Sequence, residues 1–155
     1  MTGGKPEVFE RVKPYFEAMG KNIVLVGASG AGQVAKACNQ IVVAVTIQAV
    51  AEAMIFARQQ GVDAGKVRDA LMGGFAGSKI LEVHGKRMLD NDFKPGFKTK
   101  LHQKDLKSVI DSAHAIGVAL PATALVAQQM NALMGAGDGE LDSAALVKVL
   151  ERMTR

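Results

Sequence analysis

The chain has 155 residues, of which 48% are apolar and 22% charged, with a formal charge of +4. That is the size and balance of one folded domain, or of one domain and part of another, and it excludes wholesale disorder. A single cysteine, Cys38, excludes an internal disulfide and a cysteine-built metal cluster, and His84, His102 and His114 lack metal-ligand spacing. The 19 Lys and Arg are scattered among 15 acids without interleaved aromatics or a binding motif. The positive excess therefore fits an acidic small molecule at least as well as a nucleic acid, and no nucleic-acid partner is expected. Alanine is the commonest residue and aromatics make up 5%, a bias towards closely packed helices. The apolar stretch 41–51 is shorter than a membrane span, and MTGGKPEVFE has no signal-peptide core, so a cytosolic location is expected.

In chain order, residues 6–19 read as an amphipathic helix, with Pro6 in its first turn and Gly20 as its stop. Val8, Phe9, Val12, Phe16 and Met19 form its apolar side. Residues 22–27 read as one buried strand, and no second strand is evident. From Ala31 to Gln60 there is no proline, and after Gly32 no glycine; the pattern predicts a helix about 45 Å long at ~1.5 Å per residue. Between Ile41 and Phe56 it is apolar almost all round, which predicts a central helix buried on every side. Asp63 caps a helix over 64–72, closed by Gly73 and Gly74. Ser78 opens a helix to about Leu89, and DNDFKPGF (90–97) is a turn-rich loop. Thr99 caps a helix to Ile116, Pro121 opens another that stops at Gly135, and Asp142 caps the last, to about Met153.

Gly30 to Ala35 matches the G-x-G-x-x-A dinucleotide fingerprint after a strand, but the long helix returns to no second strand ending in an acid. The same glycines let a backbone approach a ligand or a neighbouring domain, and the helix start points N–H groups at an anion. On the glycines alone, a plain flexible link is the favoured reading. At 100° per residue, Gln33, Asn39 and Gln40 lie within about 60° of Lys36, a polar stripe confined to the first turns of an apolar helix.

The run Gly27-Ala-Ser-Gly30-Ala-Gly32-Gln-Val-Ala-Lys36-Ala-Cys-Asn39-Gln40 resembles the G-x-x-G-x-G-x-x-x-K-x-x-N signature of the β-hydroxyacid dehydrogenases. GGFAGS (73–78), FKPGF (93–97) and Lys104-Asp105-Leu106 follow with family counterparts in the same order. Ala28 departs from the pattern, since many members carry Asp there. The resemblance implies an all-α domain, a helical bundle around one long central helix like the C-terminal domain of 6-phosphogluconate dehydrogenase. Residues 1–27 would then be the remnant of an upstream NAD(P)-binding domain, and 28–155 a C-terminal helical catalytic and dimerisation domain.

It further implies that an NAD- or NADP-dependent enzyme interconverts a small aldehyde acid and a hydroxy acid, with tartronate semialdehyde the first choice and methylmalonate semialdehyde the second. Lys36 would be the catalytic proton donor, its pKa lowered by desolvation and the helix N-terminus. Asn39, Gly30, Gly32 and Ser78 would bind substrate, and Lys104, Asp105 and Phe97 the cofactor, held mainly by the domain upstream. A homo-oligomer is expected, with the 22–26 strand finding a partner in another subunit if not within the chain. Two other readings compete: a non-catalytic helical association module, favoured by an exposed Lys36 with no cleft around it, and a self-contained nucleotide-binding protein, favoured by a parallel sheet.

Overall fold

The computed structural model describes residues 1–154, which form seven α-helices and one small parallel sheet. They fall into two compact units, Met1–Gln40 and Ile41–Arg155. The fold is mainly helical, as composition predicts, but it is not wholly so.

The first unit is a β-α-β arrangement. Strand β1 (Thr2–Gly3) pairs in parallel with β2 (Leu25–Gly27), and α1 (Pro6–Met19) connects them. The buried strand expected over 22–27 is thus confined to 25–27, where Val26 is exposed, and its partner lies within the chain. β1 eluded the sequence reading because two residues carry no periodicity. Pro14 is accommodated inside α1, whose apolar side is only partly covered: Phe9 is buried, with Phe16 stacked at 6.4 Å, while Val8 and Met19 lie open.

Helix α2 (Ala31–Gln59) begins at the glycine turn, where the Gly30 carbonyl accepts from the Gln33 and Val34 amides. By length and composition it could cross a membrane, but Ala44, Ile47, Ala51 and Met54 are wholly buried in a protein core. It is not buried all round, however. Val34, Val42 and Phe56 stand exposed, so a uniformly apolar sequence still presents one face outward. Cys38 is also exposed.

The second unit contains the hydrophobic core. After Gly61 (φ 70°) come α3 (Ala64–Met72), α4 (Lys86–Asp90), α5 (Thr99–Ala115), α6 (Pro121–Gly135) and α7 (Val147–Met153). Met54, Met88, Leu106, Met130, Leu133 and Leu146 are fully buried between them, each such side chain supplying about 1.5–3 kcal/mol of transfer free energy. Asp63 caps α3 as predicted, accepting from the Gly65 and Lys66 amides at 2.8 and 3.2 Å.

Two local predictions need correction. The helix expected over 78–89 is not regular: Leu81–Gly85 forms a single π-turn before α4. Widening the turn releases carbonyls, and Arg68 takes those of Leu81 and Glu82 at 3.2 and 2.8 Å. Thr99 is not the cap of α5; Lys98 occupies that position, and the Thr99 hydroxyl donates to the Leu141 carbonyl at 3.0 Å.

Candidate functional site

In the first unit, Gly30, Gly32, Gln33 and Lys36 line one cleft of about 450 Å³ together with Met1, Thr2 and Gly3. Its wall depends on backbone touching backbone. A Cβ on Gly3 would lie 2.6 Å from the Ala28 oxygen and 2.7 Å from the Gly32 nitrogen, so β1 passes directly over the start of α2. Gly32 of the motif therefore serves close approach, with Gly3 as a partner that its own neighbourhood in the sequence does not announce. Gly30, at φ 91°, makes the turn itself.

Lys36 is exposed on this unit, yet it lines a cleft. Its Nζ donates to Gln40 Oε1 at 3.0 Å, and Asn39 Nδ2 donates to the same oxygen at 3.0 Å. The polar stripe is thus one connected network, with Lys36 and Gln40 at the i, i+4 spacing that places helical side chains together. Gln40 is 4% exposed and so forms the fixed point from which the other two project. Sequence reading placed Gln40 on the stripe but did not assign it to the site; its spacing from Lys36 was the available signal.

In the second unit, Lys104 and Asp105 lie on α5 and pair at 2.7 Å, the lysine side chain 67% exposed and the aspartate 19%. Phe97 precedes α5 and is partly exposed, with its ring tilted against the buried His102 ring at 5.4 Å. Ser78 is half-buried, and its hydroxyl oxygen accepts the Leu81 amide at 3.0 Å, as a cap does. Among the described residues no group of His, Cys, Asp and Glu could hold a metal ion.

Behind Phe97 lies a feature absent from the sequence reading. Asp142, predicted only as a helix cap, is 2% exposed; it does cap the turn Ser143–Leu146, accepting from the Ala144 amide at 3.0 Å. Its other oxygen accepts from the Gly96 and Phe97 amides at 2.9 and 3.0 Å and faces Arg87 Nη1 at 3.1 Å. His84 Nε2 lies 3.9 Å from Asp142 as well. Burial pulls the His84 pKa below the ordinary 6.5 despite the Asp142 carboxylate, and the Arg87 charge acts in the same direction as burial.

The profile described as the NAD-binding domain of NADP-dependent 3-hydroxyisobutyrate dehydrogenase matches residues 30–150. Among curated proteins, 2-hydroxy-3-oxopropionate reductase of Escherichia coli (strain K12) is 54% identical over 99% of this chain and 52% of its own length. A probable 3-hydroxyisobutyrate dehydrogenase-like protein of Arabidopsis thaliana is 39% identical over 98% of this chain and 45% of its own. Among solved structures, a Mycobacterium tuberculosis 3-hydroxyisobutyrate dehydrogenase with L-serine superposes with a TM-score of 0.84 at 35% identity, covering 96% of this chain and 53% of that one. The chain spans about half the length of the relatives it matches.

Proposed function

The chain belongs to the 3-hydroxyisobutyrate dehydrogenase family, and from that premise we propose that it is the helical half of an NAD(P)-dependent oxidoreductase that interconverts a small aldehyde acid and a hydroxy acid. Tartronate semialdehyde is the proposed aldehyde and glycerate its product, supported by the 54% identity to a 2-hydroxy-3-oxopropionate reductase. Residues 1–27 are proposed to complete a nucleotide-binding domain and 28–155 to form the catalytic helical domain. The parallel β1–β2 pair preceding the glycine turn supports this division. The parallel pair does not favour a self-contained nucleotide-binding protein, because no described strand follows α2.

The observation that carries the proposal is the network of Lys36, Asn39 and Gln40 beside the glycine-walled cleft. A nicotinamide, when bound, would supply or accept a hydride at the carbonyl carbon. Lys36 Nζ then holds, or delivers, the proton at the oxygen that becomes the hydroxyl. Asn39 gives one N–H to Gln40, which leaves its amide oxygen to accept from a substrate hydroxyl. Gly30 and Gly32 admit the substrate carboxylate to the helix start, where the dipole favours an anion. The exposed Lys104 ammonium and the part-exposed Phe97 ring fit the phosphate and planar groups of a dinucleotide, with Asp105 holding the lysine. A homo-oligomer belongs to the same reading, supported by the outward Val42 and Phe56 side chains of α2.

In the complete enzyme, Lys36→Ala should lower turnover of tartronate semialdehyde by about 100-fold or more, the scale of lost acid–base catalysis. Near-normal turnover would remove the assigned proton donor. The 155-residue chain alone should neither turn over this substrate nor bind NADH or NADPH at micromolar levels by calorimetry, because hydride transfer needs the nicotinamide held at attack distance.

A further inference from the structure

We propose that Asp142 is a positioning residue for the cofactor: it clamps the FKPGF loop, and so fixes where Phe97 and the head of α5 stand. The inference rests on the proposed placing of Phe97 and Lys104 at the cofactor.

Loop 91–98 has little regular structure of its own, and its ordering must come from elsewhere. A single buried carboxylate supplies it. One oxygen of Asp142 takes the successive amides of Gly96 and Phe97, and the other takes Ala144, so loop and helix start share one residue. Arg87 balances the charge at 3.1 Å and also donates to the Lys94 carbonyl at 2.6 Å, gripping the loop one step earlier. The backbone continues the clasp. Asp142 N donates to the Phe93 carbonyl at 3.0 Å, and Ser143 N to the Phe97 carbonyl at 3.1 Å.

A mere helix cap would need only the Ala144 contact. The remaining bonds all converge on the loop that carries Phe97, 45 positions away in sequence. Hydrogen bonds to an ionised acceptor are stronger and shorter than neutral ones, and a buried one tolerates little displacement. Gly96 confirms how closely the parts fit. A Cβ there would lie 3.3 Å from Arg87 Nη2 and 3.4 Å from Asp142 Oδ2. Asp142 itself is buried beneath the loop and is not assigned any contact with cofactor; it acts through Phe97 and α5.

The chemistry makes Asp142→Asn a discriminating substitution. An amide keeps the size but has one accepting oxygen, so it can serve either the loop amides or Ala144 and presents a donor to the other. In the complete enzyme, Asp142→Asn should raise the KM for NADH or NADPH, and the Kd by fluorescence titration, about tenfold. The kcat at saturating cofactor should stay within about twofold, and exchange of the Gly96 and Phe97 amides should quicken. Gly96→Ala, which presses on the same clamp without removing the charge, should move both constants in the same direction by less; it serves as the second test if Asp142→Asn does not fold. Asp63→Ala, which removes a cap from α3, controls for destabilisation and should leave the cofactor KM unchanged. An unchanged cofactor KM and Kd in folded Asp142→Asn, or a loss confined to kcat, would overturn the clamp. Lys104→Ala tests the underlying reading separately: an unchanged cofactor KM there rejects the placing of α5 at the cofactor, while a raised one beside an unaffected Asp142→Asn rejects the clamp alone.

Discussion

The two units hold their candidate site residues by different means. In Met1–Gln40, Phe9 is the only buried apolar side chain among the described residues, and the cleft beside Lys36 is shaped by glycine backbones lying against each other. In Ile41–Arg155, a continuous core from Ala44 to Val149 fixes the helices, and buried polar groups tie the loops to them. The contrast teaches where each site is vulnerable. The first depends on the absence of side chains, the second on their presence.

The sharpest way to break that contrast is to remove a core side chain. Leu133→Ala should cost the second unit about 2–5 kcal/mol, the usual toll of a buried leucine truncation, read from chemical denaturation. A loss below about 1 kcal/mol would mean that this core is looser than its burial indicates.

The counterpart in the first unit is an addition. Gly3→Ala places a methyl group within 3 Å of three backbone atoms, none of which can rotate away. Overpacking of this kind costs about 1–3 kcal/mol. Amide exchange should quicken over residues 2–4 and 24–33 while the second unit's amides keep their protection. Unchanged exchange around β1 would show that the close approach is not what holds the strand.

The smallest expected effect concerns pH and sharpens the account of the second unit. Burial keeps His84 below its ordinary 6.5. The unfolded chain therefore takes up this proton at higher pH than the folded one. Its contribution to stability is complete above pH 6.5 and is lost as pH falls through the depressed folded value. Melting temperatures measured from pH 7.5 to 5.5 should fall less steeply for His84→Gln than for the unaltered chain. Parallel slopes would contradict the buried, neutral histidine.

Much of this was legible in the sequence because helices are punctuated locally. Asp63, Pro121, Gly61 and Gly117 each act within a turn of their own position, and the corresponding helix limits follow from them. Lys36 and its polar stripe were legible for the same reason, since one helix fixes their angles. What was hidden depends on distant pairings. The β1 strand is held by the Thr2 and Gly4 amides, which donate to the Val24 and Gly27 carbonyls, and nothing in Thr2-Gly3 encodes that. Thr99 has the chemistry of a cap, yet its hydroxyl is drawn to the Leu141 carbonyl by tertiary packing. The outward face of α2 was equally illegible, because an apolar surface and an apolar core share one alphabet.

The π-turn at Leu81–Gly85 bears on how this stretch tolerates length change. A π-turn spends about one residue more than an α-turn to advance the helix by a comparable step. Loss of one residue there can be absorbed by reverting to α geometry, with Lys86–Asp90 kept near their present facing. The carbonyls of Leu81 and Glu82 would then be reclaimed by the helix, leaving the Arg68 guanidinium without the two acceptors it now fills. Arg68 and the wide turn at 81–85 are therefore coupled, and shortening the turn by one residue should cost the two bonds that Arg68 now makes.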